Sequence, residues 1–90
     1  MAITVKIPTQ LRAATAGEAE IEVEGSTVGE VLDAVFDQHD GLRDRITQDG
    51  DLRRFVNVYV NDEDVRFTGS LQTPVNDGDT VTILPAVAGG

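Results

Sequence analysis

The sequence predicts an α+β domain in which one main helix crosses one face of a mixed sheet of four to five strands. Three observations predict it. Several short runs alternate apolar and polar residues, the period of strands with one buried face. A single stretch, residues 28–38, instead repeats its apolar residues at helical spacing. Ninety residues with 40% apolar content suit one small core in two layers, without room for a deep catalytic cavity.

Ile3, Val5 and Ile7 alternate with Ala2, Thr4 and Lys6, so the first strand is expected over 2–7, with Pro8 ending its ladder. Glu18–Glu24 repeats the pattern with Ala19, Ile21 and Val23 inward, and Thr9–Gly17 reads as the hairpin connection between the two. Thr27-Val28-Gly29-Glu30 has the spacing of a capping box. Behind it Val28, Val31, Leu32, Val35 and Phe36 form one apolar stripe, predicting a helix over 28–38 that closes near His39-Asp40-Gly41, with Gly41 in the left-handed cap position. Leu42–Ile46 reads as one further turn and Thr47–Asp51 as a polar loop.

Val56, Val58 and Val60 mark a third strand, which ends at the turn-forming Asn61–Asp64. A short strand over Val65–Phe67 is expected to pair back, and Leu71–Val75 to hold a brief helical turn. Asn76-Asp77-Gly78-Asp79 then turns the chain into the last strand, Thr80–Leu84, with Val81 and Ile83 inward. That strand is expected beside the first and in the same direction. The domain is read as residues 1–85, followed by a flexible tail over 86–90.

Seven Lys and Arg against sixteen Asp and Glu give a net charge of −9. That balance argues against nucleic acid and against an anionic membrane surface, both of which are gripped by basic patches. Cysteine is absent, so disulfides, thiolate metal sites and a cysteine nucleophile are excluded. The first residues lack the basic start and apolar run of a signal peptide, and no segment is long enough to span a bilayer. A cytoplasmic protein is the expectation.

Few residue types here suit catalysis. His39, the sole histidine, falls at a helix end, where capping or solvation explains it. Asp62-Glu63-Asp64 and Asp77-Gly78-Asp79 lack the spaced ligands and closing glutamate of a calcium loop, and turn chemistry accounts for both. The glycines at 17, 25, 29 and 41 have no phosphate-binding spacing. No cofactor is expected on this chain.

The sequence runs out in Ala88-Gly89-Gly90. Without Cβ atoms, a Gly-Gly end threads a narrow slot and presents its carboxylate unobstructed. Five extended residues, 86–90, reach about 17 Å at roughly 3.3–3.6 Å each, enough to enter a buried site in a partner. Tyr59, Thr82 and Leu84 have the parity opposite to the core residues Val58, Val81 and Ile83, so they are expected on the uncovered sheet face, a natural dock. Phe67 fits either face.

Ile3-Thr4-Val5-Lys6-Ile7-Pro8-Thr9, the block Arg54–Phe67 and the block Val81–Gly90 resemble the ubiquitin-like sulfur carriers of the MoaD/ThiS family. The similarity spans the whole chain and is closest to the branch serving thiocarboxylate-dependent cysteine synthesis. It implies a ubiquitin-like β-grasp fold and a carrier rather than an enzyme. By the same resemblance, a MoeB/ThiF-like partner uses ATP to adenylate Gly90 and converts it to a thiocarboxylate. Val87, Ala88 and Gly89 thread the partner's active site. The implied acceptor is a pyridoxal-phosphate cysteine synthase; molybdopterin, thiazole and thiosugar synthases stay open. Two other classes compete: a protein modifier that joins Gly90 to lysines, and a passive ubiquitin-like binding module.

Overall fold

The computed structural model describes residues 2–52 and 56–85. Its main sheet contains β1 (Ala2–Lys6), β2 (Glu20–Glu24), β5 (Val56–Val60), β6 (Glu63–Asp64) and β7 (Thr80–Pro85) in the order β2-β1-β7-β5-β6. β1 and β7 run parallel, as expected, and the other neighbours are antiparallel. A separate two-stranded ribbon joins β3 (Thr47–Gln48) to β4 (Asp51–Leu52).

Helix α1 (Val28–Gln38) has the predicted bounds and buries the predicted stripe of Val28, Val31, Leu32, Val35 and Phe36. Those side chains pack on Ile3, Val5, Ile21, Val23, Val58, Val81 and Ile83, the inward positions of the sheet. Fully burying an aliphatic or aromatic side chain contributes on the order of 1.5–3 kcal/mol, so this shared layer is the main source of stability. At the start of α1, Thr27 Oγ1 accepts from the Glu30 backbone N–H (3.2 Å). Glu30 reaches back one residue beyond the usual box partner, accepting from the N–H and hydroxyl of Ser26 (3.0 and 2.9 Å). These bonds hold its carboxyl below the usual glutamate value.

The connections differ from the sequence expectation in six places. Thr9–Thr15 is a 3-10 helix that buries Leu11 and Thr15, where a plain hairpin connection was expected. Ala16 and Gly17, at φ 56° and 87°, turn the chain out of it. The chain bends at Ala19, so β2 begins at Glu20, and Ala19 is exposed instead of inward. Gly41 is not a left-handed cap. Helix α1 closes at His39 (φ −137°), whose N–H donates to Val35 O, and the chain continues directly into a 3-10 turn, Asp40–Leu42, and α2 (Arg43–Ile46).

The expected loop at Thr47–Asp51 is the β3–β4 ribbon, turned by Asp49 and Gly50 at φ 56° and 81°. This pair supplies the two positive φ values of a tight hairpin turn. The strand that pairs back on β5 is Glu63–Asp64, directly after an Asn61-Asp62 turn with Asn61 at φ 56°. Val65–Phe67 is therefore a 3-10 turn, which buries Val65 in the core. The brief helical turn lies at Ser70–Gln72. After it, Val28 N–H donates to Thr73 O (2.9 Å) and Val75 N–H to Ser26 O (3.0 Å), tying the start of α1 to the approach to β7.

Candidate docking face and tail

The sheet face away from α1 is built by residues of one parity. Across its middle the register runs Glu20, Lys6, Thr82, Tyr59, Asp64, each the cross-strand partner of the next. The adjoining row pairs Leu84 with Asn57. Tyr59 and Thr82 are half-buried, whereas Leu84 is 45% exposed. Together with Asn61 and Asp62, these three residues line a shallow depression. Tyr59, Thr82 and Leu84 thus meet on one surface, in the arrangement their parity predicts.

Phe67 does not join them. It sits on the 3-10 turn beyond β6 and is 88% exposed. Val87, Ala88, Gly89 and Gly90 lie outside the described residues, as do Arg54 and Phe55 of the second sequence block. The chain is described as far as Pro85, which pairs with Val56 at the end of the sheet. Pro85 and Val56 thus adjoin the Leu84–Asn57 row.

Arg66 is the component of this face that the sequence did not reveal. Its guanidinium donates to Val56 O (2.7 Å) and to Asn57 Oδ1, and its own N–H donates to the Asp64 carboxylate (2.9 Å). A 3-10 turn in place of the expected strand brings it there, and only a prediction of that turn signals it. Acidic side chains rim this face along β2, where Glu20, Glu22 and Glu24 are exposed, but Lys6 stands between that rim and Thr82.

His39 closes α1 and places Nε2 3.5 Å from Glu18 Oε2. Asp79 accepts from Asn76 N–H (2.8 Å), the turn role expected of it, whereas Asp77 accepts from Ala2 N–H (2.7 Å) and ties that turn to the start of β1. Among the described residues, no group of three or more His, Cys, Asp or Glu side chains is arranged to hold a metal ion. No helix among them is long and apolar enough to cross a membrane.

The model of the ThiS family matches residues 5–90 of this chain. The chain belongs to the ThiS family. This ThiS-family chain is 50% identical to the sulfur carrier protein CysO of Mycobacterium tuberculosis, with all of both chains covered. It superimposes with a TM-score of 0.93 and 57% identity on a chain in the crystal structure of the Amycolatopsis orientalis BexX/CysO complex, covering 98% of this chain and 99% of that one. Small archaeal modifier protein 3 of Haloferax volcanii is 40% identical over 72% of this chain and 71% of its own. The fold of this ThiS-family member is the ubiquitin-like β-grasp that the sequence resemblance implies.

Proposed function

We propose that this protein is a sulfur carrier, not itself an enzyme, whose Gly90 carboxylate is activated by a partner and converted to a thiocarboxylate. The observation that carries the reading is the end-to-end similarity to the sulfur carrier protein CysO. In the first step a Gly90 carboxylate oxygen attacks the α-phosphorus of ATP, and pyrophosphate leaves. Activation is needed because the resonance-stabilised anion resists nucleophiles. In the second step hydrosulfide, delivered by the partner, adds to the carbonyl carbon of the acyl adenylate, and AMP departs with the electrons of the C–O bond. The resulting thiocarboxylate carries nucleophilic sulfur without releasing free sulfide.

The activating partner is of the MoeB/ThiF type, and the favoured acceptor is a pyridoxal-phosphate cysteine synthase working in the cytoplasm. Residues 1–85 act as the rigid domain and 86–90 as the tail, with Val87, Ala88 and Gly89 threading the active site. Tyr59, Thr82 and Leu84 form the docking surface, and Phe67 is a separate apolar contact. The BexX/CysO complex supports docking of such a domain on another protein.

The likeness to small archaeal modifier protein 3 favours a second reading, in which the activated Gly90 is passed to lysine amines. Intact mass after incubation with ATP, a ThiF-type enzyme and a sulfide source separates the two. The expected result is a gain equal to exchange of one oxygen for sulfur, abolished by deleting Gly90 or by adding a residue after it. Lysine conjugates without any thiocarboxylate would establish the modifier instead.

A further inference from the structure

Strand direction sorts the charges of this acidic protein by end. β1 and β7 run one way and β5 the other, so Lys6, Leu84, Pro85 and Val56 share one end, and Ala2, Thr80 and Val60 the opposite one. Among the described residues, three cations stand at the end where Pro85 closes β7. Lys6 is exposed, and with Arg12 it lines a cleft that runs to Thr82, Ile83 and Leu84. Arg12 is held there by donating from Nε to Ile7 O (3.2 Å). Arg66 is fixed on Val56 O, and Val56 is the partner of Pro85.

Acids also stand beside these cations: Glu20 is the cross-strand partner of Lys6, and Asp64 caps the Arg66 turn. Glu18 and Asp40, on neighbouring connections, are drawn to His39 (3.5 Å) and Arg43 (3.8 Å). At the opposite end Glu24, Asp62, Glu63, Asp77 and Asp79 gather on three connections with no Lys or Arg among them. In a chain of net charge −9, the two ends of the strands therefore differ in charge among the described residues, with Lys6, Arg12 and Arg66 at the end where Pro85 closes β7.

We propose that Lys6, Arg12 and Arg66 form a collar that docks on acidic side chains around the mouth of the activating enzyme's channel, so that the domain arrives tail first. The proposal rests on the reading of Gly90 as the activated residue. Charge complementarity fixes the chemistry of the partner, and reach fixes which part of it. Five residues span at most about 17 Å when fully extended, so a Gly90 that enters the channel leaves the collar at the rim and not at the nucleotide phosphates deep inside. Cations facing acidic side chains at this end steer encounter and orientation locally, effects that appear in association rate and salt dependence.

The test uses the full chain and its ThiF-type enzyme, with pyrophosphate exchange reporting adenylation and stopped-flow fluorescence reporting association. A wild-type chain that supports no exchange overturns the reading of Gly90, and the collar with it. Given exchange, the Lys6→Glu/Arg12→Glu variant should associate about tenfold more slowly at low ionic strength and lose its salt dependence. Its exchange rate at saturation should stay within about twofold of wild type, because the chemistry at Gly90 is untouched. Lys6→Gln/Arg12→Gln should give an intermediate rate, and Glu63→Lys at the far pole should change it little. An unchanged rate overturns the collar, as does a far-pole effect as large as that of Lys6 and Arg12. Faster association of the Lys6→Glu/Arg12→Glu variant also overturns it, showing that these cations retain the chain's own carboxylate.

Discussion

Glu30 carries a local, pH-dependent part of the fold. Its carboxylate accepts from Ser26 twice while Thr27 accepts from its N–H, so two residues ahead of α1 are tied to its first turn. Because its folded pKa lies below the usual value, its contribution is present above the usual carboxylate range and is lost as pH falls through the lowered value. Glu30→Gln should therefore reduce the drop in melting temperature between about pH 7 and about pH 3 relative to wild type. Parallel curves for the two proteins would contradict this account. Thr27→Ala should cost about 1 kcal/mol in urea unfolding at neutral pH. The box was legible because its spacing is local. Gly25 was not: a Cβ there would stand 2.9 Å from Val31 N and 3.0 Å from Val31 Cγ2, an approach made by the chain folding back over α1. Gly25→Ala should destabilise by roughly 1–3 kcal/mol, the range for overpacking, and an unchanged denaturation midpoint would refute it.

The main elements, α1, β1, β5 and β7, were legible because each carries a long run of one period, whereas the connections were not, because their conformation answers to packing. Gly41 shows the limit. A glycine soon after an apolar stripe suggests a left-handed cap, yet the chain keeps turning through Asp40–Leu42 because Leu42 and Ile46 are fully buried by doing so. Val65 likewise reaches the core from a 3-10 turn, a position that alternation cannot distinguish from a strand. The two glycine environments predict opposite outcomes. A Cβ at Gly41 meets only Ala14 Cβ at 3.9 Å, with no positive φ to resist it. Gly41→Ala should therefore stabilise by about 0.4–1 kcal/mol through the unfolded chain. Gly50, at φ 81° in the β3–β4 turn, leaves its Cβ in open space but in a strained backbone, so Gly50→Ala should destabilise by about 1 kcal/mol. Equal midpoints for the two variants would refute the distinction.

At the scale of the whole molecule, the core and the docking surface are opposite faces of the same sheet, so alternation in β5 and β7 specifies both at once. That is why Tyr59, Thr82 and Leu84 could be grouped from sequence, while Arg66 and the cationic end, which depend on strand order and on a turn, could not. A flexible tail loses conformational entropy when it enters a partner and makes few specific contacts in return. The rigid face must then supply much of the affinity, and its most accessible apolar side chain is Leu84, 45% exposed beside the last described residue of β7. An apolar anchor at the centre of an interface is typically worth on the order of 2 kcal/mol or more, whereas charges on the rim act mainly on association rate. Leu84→Asp should accordingly weaken binding to both the activating enzyme and the acceptor by at least about tenfold, roughly 1.4 kcal/mol. Because Leu84 points away from the core that Val81 and Ile83 enter, the melting temperature should stay near that of wild type. Calorimetry on the folded variant decides the matter: unaltered affinity for both partners would remove this face from the interface while leaving the assignment of Gly90 intact.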